Sequence, residues 1–521
     1  MLASKQLEDW LTAHLTLVAL VIVAAGGAVR VYYALATYLN PDEAMHFLSA
    51  NQLALASTYR SSLHTAHPPL FLIALHAALG LGNSELVLRL PSLLAGTAAL
   101  WLAFRWMQRG IGGAAGLVGL VALAGAPVMI AAAAETRQYA FLLCFVCAAL
   151  YCMERCFADR SAAWVAGFAA SLYGAILSHY TAAWITLTLG VYVAHRLWAE
   201  RPPQKVIAAW VLSQLGAAAI YLGLYVTHLR TLRGSGMEAV ATSGWLKYQY
   251  YRPGEEEVAG FAWRALGGVF TYLAGGPRLG MLAAVAFVAG LIMVAAKWPR
   301  DASPVRRDYV ALLALPLLIG LTAAVADLLP FGRTRHVSYL SPFVAAGVAI
   351  AVARALRYNL SLITLLAVIV GPWWLVTTTP ANSLTEMRHS DVEDLLAYLD
   401  AALPDDAIIF VDGQTYMVLA YYLERDQPGL MVRRGTVVND TRLDRYRIVS
   451  LPESWAFNDD VAKEVTTASQ ALALPRGAPL WVMTVGPWSG DVLVQRLPTP
   501  SLLTVKRFGE ITLVQTAVGY W

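Results

Sequence analysis

Residues 12–43 read TAHLTLVALVIVAAGGAVRVYYALATYLNPDE, and this stretch decides the class of the protein. Its apolar part, 12–34, has the length of about 20 residues that a helix needs to cross a hydrocarbon core of about 30 Å. Asn40-Pro41-Asp42-Glu43 follows and has the chemistry of a helix start: Asn caps, Pro fits the first turn, and acids face the amide dipole. Position adds a second meaning. Carboxylates beside a lipid surface are costly to keep ionised unless they are used, and one placed there suits a general base that takes a proton from an acceptor hydroxyl or amine.

Outward from this stretch, the same apolar signature repeats. Hydrophobic residues make up 58% of the 521 and charged ones 14%, with a mean hydropathy of +0.55, whereas soluble domains carry about a quarter charged residues. Apolar blocks fall at 12–34, 86–105, 114–133, 138–154, 163–178, 181–195, 205–227, 279–296, 309–328, 337–353 and 359–378. Every second connection is basic: Arg105 and Arg109; Arg155 and Arg160; Arg196, Arg201 and Lys205; Lys297, Arg300, Arg306 and Arg307; Arg354 and Arg357. Basic loops stay in the cytoplasm, so segments 35–85, 134–137, 179–180, 228–278 and 329–336, with everything after 378, are expected outside. The short apolar stretch 68–82, entered through Pro68-Pro69, would break this alternation as a span and reads as a juxtamembrane helix.

The expected fold is therefore mainly α, a polytopic bundle of about eleven spans, twelve or thirteen at most, over residues 1–378. Residues 379–521 change character. Strand-like runs at Ala407–Val411, Arg447–Leu451, Leu480–Val485 and Ile511–Thr516 alternate with amphipathic stretches such as Asp391–Ala402, which predicts an outer α/β domain. Met1–Trp10 has no small-residue cleavage site, so the first block is expected to be a retained anchor. Cys144, Cys147, Cys152 and Cys156 share one apolar block and read as small hydrophobes rather than a metal or disulfide set. The net charge of +4 lies mostly in short loops, a topology signal and not a nucleic-acid footprint.

The outward segments hold the chemistry-bearing residues. Glu135-Thr136-Arg137-Gln138-Tyr139 fills a very short loop, where an Arg fork at a helix start suits phosphate. His67 before Pro68-Pro69, His179-Tyr180, Lys247 near Tyr248, Tyr250 and Tyr251, and Arg333-Thr334-Arg335-His336 face the same side. Cations gathered at one headgroup level imply an anionic ligand, and a lipid phosphate is the obvious one. The sequence has neither a nucleotide-binding Gly-rich loop, nor a Gly-x-Ser-x-Gly elbow, nor zinc-ligand spacing, and few ionisable residues within the blocks. A nucleotide-driven pump and a proton-coupled transporter are thereby disfavoured.

Taken in order, Asp42-Glu43, His67-Pro68-Pro69-Leu70, Glu135-Thr136-Arg137-Gln138-Tyr139, His179-Tyr180 and Arg335-His336-Val337-Ser338-Tyr339-Leu340 resemble the bacterial GT-C glycosyltransferases, relatives of protein O-mannosyltransferases and lipid A aminoarabinose transferases. The resemblance implies a GT-C fold with juxtamembrane helices and inverting transfer from a polyprenyl-phosphate sugar. The acceptor would be an envelope glycolipid (lipid A or its core), another glycan or a protein. The setting would be the bacterial inner membrane, with the C-terminal domain in the periplasm. It makes Asp42 the base and Arg137 a contact of the donor phosphate, with His67 where relatives have a basic residue beside Pro-Pro. Together with the outward cations, this leads us to expect Glu43 on the acceptor side, Arg137, His67, Arg335, His336 and Lys247 on the donor phosphate, and Glu135, Tyr139, His179 and Tyr180 in support. Where the aminoarabinose transferases have Glu-Lys before Pro-Pro, this chain has Ala66-His67, which speaks against that assignment and against a metal site using the missing Glu. No metal ligands or certain cofactor are assigned, and a divalent cation is left open. The rival readings are a lipid-linked-sugar flippase and an O-antigen-ligase-like transferase using a diphosphate carrier.

Overall fold

The computed structural model describes residues 2–63, 65, 67–232, 244, 246–297, 305–377, 387–430, 439–451, 461–486, 490–497 and 503–518, with side chains over the same ranges except 2–5, 369–377 and 490–492. Arg300 of an expected inner loop, and Ala66 and segments 233–243 and 379–386 of the expected outer regions, lie outside them.

The first twelve helices are α1 (Leu2–Ala13), α2 (Leu15–Ala36), α3 (Pro41–Ala50), α4 (Leu55–Ser62), α5 (Leu70–Ala78), α6 (Glu85–Gly110), α7 (Gly113–Gly125), α8 (Pro127–Ala134), α9 (Tyr139–Asp159), α10 (Ala162–Ser178), α11 (Ala182–Glu200) and α12 (Gln204–Leu224). Further helices cover Val258–Ala274, Pro277–Ala295, Tyr309–Val325, Ser341–Ala355 and Leu360–Thr377. All eleven apolar blocks are thus helical. Among the described residues, six helices are long and apolar enough to cross a membrane: α2, α6, α9, Gln204–Leu232, Pro277–Ala295 and Arg335–Ala355. The pair α7 and α8 makes a seventh, bent by 59°, while Leu70–Leu81, α10 and Tyr309–Val325 are apolar but shorter.

The bend explains a buried cation. Pro127 opens α8 and has no N–H to give the Leu123 carbonyl four residues back. Arg30, fully buried in α2, supplies the missing donors: its Nη2 reaches the Leu123 carbonyl at 3.3 Å, and its Nη1 reaches the carbonyls of Ala124 and Gly26 at 3.2 and 2.8 Å. A charge inside an apolar bundle is thereby placed where orphan carbonyls need it.

The tail forms one six-stranded sheet: β1 (Ile408–Asp412), β2 (Asn439–Leu443), β3 (Tyr446–Leu451), β4 (Pro479–Val485), β5 (Thr504–Phe508) and β6 (Ile511–Ala517). The order is β2-β3-β1-β4-β6-β5, with β3, β1 and β4 parallel and the outer pairs antiparallel. The four runs read from the sequence are the four inner strands. Phe410, Val449, Val482 and Val514 pack on one face against helix Val461–Ala471.

The other face positions the site. There Ile409, Met483 and Leu513 join Leu395, Leu419 and Tyr421 of helices His389–Ala402 and Gly413–Glu424 in a core that also contains Phe47 of α3 and Phe71 and Leu75 of α5. Phe47 meets Tyr421 edge-on at 5.0 Å. Polar ties follow the same seam. The Leu39 N–H donates to the Tyr422 hydroxyl at 2.9 Å, that hydroxyl donates to Glu85, and Tyr421 donates to the Asn83 carbonyl at 3.0 Å. The helix carrying Asp42 is therefore clamped between bundle and sheet domain, which fixes its carboxylates relative to both.

Candidate active site

Helix α3 starts as its sequence dictates. Asn40 accepts from the Glu43 N–H at 3.0 Å, and Glu43 accepts from the Asn40 N–H at 3.1 Å, a reciprocal cap with Pro41 in the first turn. The two acids part company from there. Glu43, 1% exposed, turns inward. Arg89, one turn into α6, grips it with both arms of its fork, Nε to Oε1 and Nη2 to Oε2, each at 2.9 Å. The Thr136 N–H adds a bond to Oε1 at 2.7 Å. Arg89 spends its other N–H groups on the carbonyls of Ala34, Thr37 (2.8 Å) and Tyr38 (3.0 Å). This corrects the acceptor-side placement of Glu43: its oxygens are saturated inside the protein, and it ties α2, α3, α6 and the loop after α8 together.

Asp42 turns the other way. Its Oδ2 accepts from Arg137 Nη1 and, at 2.9 Å, from Arg335 Nη1, joining residues that lie 95 and 293 positions away. Arg137 is 2% exposed, whereas the side chains of Asp42 and Arg335 keep 42% and 40% of their surface open. One guanidinium forms the floor, and the other stands at the rim beside the accessible carboxylate. Burial works to raise the Asp42 pKa, but Arg137 and Arg335, helped by His46, overrule it and hold the group well below the usual carboxylate range.

Local structure fixes both arginines. The loop 135–138 is held over α6, where Ser92 Oγ donates to the Arg137 carbonyl at 3.0 Å and accepts its N–H at 3.3 Å. Gly96 lets α6 and α8 approach beneath it: a Cβ at that position would stand 2.3 Å from the Ala133 Cβ. The Arg137 guanidinium lies 5.4 Å from the Tyr139 ring centre. Arg335 opens a 3-10 turn, Arg335–Leu340, anchored by buried Val337, Tyr339 and Leu340.

Four imidazoles line one side. His46 stacks on His67 at 5.1 Å, His67 lies 6.3 Å from His179, and His179 lies 6.0 Å from His336. Burial, then Arg137, pushes His46 down to about 4. Burial with Arg137 and Arg335 pushes His179 down to about 3, and burial, His46 and Arg137 hold His67 well below its ordinary value. These rings are neutral at physiological pH, so His67 is a polar donor here and not the phosphate-binding cation expected. Their tautomers follow from their partners. His179 Nδ1 accepts the Thr181 N–H at 3.1 Å, which puts its proton on Nε2. His67 Nδ1 accepts from Gln138 Nε2 at 2.8 Å, and His46 Nδ1 donates to the Asp42 carbonyl at 2.6 Å.

The remaining expected residues divide. Glu135 is buried and acts electrostatically on Arg335. His336 sits at the end of the imidazole row, with Nδ1 2.9 Å from the Thr334 hydroxyl. Tyr180 packs against the bundle core near Tyr221. Lys247, on an exposed 3-10 turn, lies over the Tyr248 ring at 5.8 Å rather than on Asp42. Reasoning from sequence missed Arg89, His46 and Ser92, and gave Gln138 of the quoted motif no role of its own. An arginine one turn into an apolar helix, and a histidine four residues after Asp42 on the same helix face, were the available signals. Among the described residues no group of three or more His, Cys, Asp or Glu is arranged to hold a metal ion.

Neutral buried histidines make stability pH-dependent. The unfolded chain protonates His46 near 6.5, whereas the folded protein resists until about 4. Stability is therefore lost as pH falls through this window, about 2 kcal/mol at pH 5 for His46 alone. Thermal unfolding in detergent at pH 7 and pH 5 measures it; His46→Gln is expected to flatten the slope.

A profile of the dolichyl-phosphate-mannose-protein mannosyltransferase family matches residues 66–224, which takes in His67, Arg89, Arg137 and His179. Comparison with the curated proteins gives no match. Among solved structures, the chain resembles ArnT from Cupriavidus metallidurans bound to undecaprenyl phosphate at a TM-score of 0.56, with 16% identity over 97% of this chain and 98% of that one. The apo state of the same protein gives a TM-score of 0.54 with 16% identity over 96% and 98%.

Proposed function

We propose that this chain, whose fold is that of the GT-C glycosyltransferases, is an inverting membrane glycosyltransferase. It moves a sugar from a polyprenyl-phosphate carrier to an envelope acceptor at the outer face of a bacterial inner membrane, with about eleven spans and the sheet domain outside. The carrying observation is the junction of one accessible carboxylate, Asp42, with one buried and one open guanidinium, Arg137 and Arg335. Asp42 takes the acceptor proton. The oxygen it frees attacks the anomeric carbon, and the bond to the lipid phosphate breaks on the opposite face, which inverts the configuration.

Charge then develops on the phosphate, where fixed guanidiniums oppose it. Each guanidinium carries five N–H donors, so both serve the phosphate beside Asp42. At rest the two cations make Asp42 a weak base. A bound phosphate that draws them off raises its basicity, so donor binding precedes proton transfer. His67 and His179 offer neutral Nε2–H groups to sugar or phosphate oxygens, Tyr139 braces Arg137, and Glu43 holds the assembly in register without touching substrate. Lys247 and Tyr180 stand outside this inner set.

The test is reconstituted protein supplied with a radiolabelled monophosphate-linked sugar donor, its diphosphate-linked counterpart, and an envelope extract as acceptor. Label is expected in the extract, with free polyprenyl phosphate, from the monophosphate donor alone. Transfer from the diphosphate donor alone would favour the ligase-like reading, and movement of intact donor across the bilayer without bond cleavage a flippase.

A further inference from the structure

The opposite end of α6 carries a second cationic cluster that the reaction does not use. Arg89 belongs to the Asp42 assembly, and Arg105 lies sixteen residues further along the same helix, which at 1.5 Å per residue is about 24 Å away, most of a hydrocarbon thickness. There the guanidinium of Arg109 lies 5.7 Å from the Tyr151 ring centre, and Arg155 Nη1 reaches the Tyr151 hydroxyl at 3.4 Å. Arg105 acts electrostatically on the same hydroxyl. All three are seated on aromatic rings: Arg105 on Trp101 at 5.4 Å, Arg109 on Tyr151, and Arg155 on Trp164 at 4.3 Å. Trp164 in turn meets Tyr151 edge-on at 5.9 Å.

Charge balance marks this cluster as incomplete. Among the described residues, Asp159 is the carboxylate ion-paired with it, through Arg155 at 2.7 Å. The nearby Glu154 turns inward to Arg196 and Tyr309. Among the described residues two of its positive charges have no carboxylate partner, and a basic loop needed only to set topology has no reason to seat each guanidinium on an aromatic ring. Beside the cluster runs an apolar track. Leu94, Ala98, Trp101 and Arg105 share one face of α6 at helical spacing; Leu94 and Ala98 are exposed and Trp101 partly so.

We infer that Arg105, Arg109 and Arg155, on the platform of Trp101, Tyr151 and Trp164, bind the phosphate of an anionic phospholipid whose acyl chain lies along the Leu94–Trp101 track. Guanidinium forks match phosphate oxygens, and the track accounts for a lipid in preference to free phosphate. The site is independent of Asp42 chemistry.

Native mass spectrometry of protein released from nanodiscs tests this. One set of discs contains phosphatidylcholine alone; another contains phosphatidylcholine with cardiolipin. Cardiolipin adducts are expected on the wild type, and roughly tenfold fewer on Arg105→Gln/Arg109→Gln, a double variant that breaks no ion pair with a described residue. Arg105→Lys/Arg109→Lys, which keeps charge but loses the fork, is expected to fall between. Equal cardiolipin retention by wild type and the Gln variant, or equal retention of phosphatidylcholine, would overturn the site. Competition by inorganic phosphate at the lipid's concentration would overturn the lipid as its source.

Discussion

Asp42→Asn is expected to lower turnover by roughly 10²–10⁴-fold, the contribution of a positioned general base, while donor binding survives. Asn keeps the volume and one carbonyl-type acceptor for Arg137 and Arg335 but takes no proton at neutral pH. Donor affinity is expected to hold or to tighten, because the guanidiniums that Asp42 occupies at rest are released to the phosphate. The pair of measurements is a single-turnover rate with bound donor and an equilibrium dissociation constant for polyprenyl phosphate. Loss of rate with retained affinity supports the base. Wild-type turnover in Asp42→Asn would remove Asp42 from the chemistry, and loss of donor binding with loss of rate would make it a scaffold for the arginines instead. Arg335→Gln is the complementary change, expected to weaken donor binding while leaving Asp42 held by Arg137.

The helical half was legible because apolar blocks of membrane length carry a strong signal, and each of the eleven is helical among the described residues, 114–133 as a bent pair. What periodicity did not reveal is the 59° break at Pro127, although the proline stands in the sequence, because the partner that stabilises it, Arg30, comes from a different helix. In the tail, the inner strands announced themselves by apolar runs, whereas the edge strands Asn439–Leu443 (NDTRL) and Thr504–Phe508 (TVKRF) have no apolar run and carry charged residues, as edges do to avoid further pairing. Helix Val258–Ala274, with Phe261, Val269 and Leu273 buried, lies within what reads as an outer loop.

At the site, the sequence named Asp42, Arg137 and Arg335, but it could not show that carboxylates one residue apart face opposite ways. The capping reading of Asn40-Pro41-Asp42-Glu43 describes Glu43, and Asp42 is the acid left accessible beside two guanidiniums. Lys247 illustrates the converse. Membrane side alone gathers residues into one layer, and only tertiary structure tells which of them touch.

The second large effect concerns Arg89 and Glu43, which never meet substrate in this scheme. Both are essentially fully buried and joined by two 2.9 Å bonds. Removing one member leaves an uncompensated buried charge, a loss of about 3–5 kcal/mol. Glu43→Gln keeps the shape and an oxygen for the Thr136 N–H and leaves Arg89 with Glu85, 3.8 Å away, as its remaining carboxylate, whereas Arg89→Met strands Glu43 and also three carbonyls, of Ala34, Thr37 and Tyr38. The arginine change is therefore expected to be the worse of the two. Replacing both, Glu43→Leu with Arg89→Met, removes the buried charges together and is expected to recover the part of the loss that comes from an unpaired charge, while the three carbonyls and the Thr136 N–H stay unpaired. Turnover is not expected to recover, because the bond from Glu43 to the Thr136 N–H holds the loop carrying Arg137 in register with α3, which carries Asp42. Unfolding midpoints in detergent and single-turnover rates for all four proteins complete the cycle. Stability effects that simply add would show that the two residues do not act as a pair, and a double variant with wild-type turnover would show that their bond does not position Arg137.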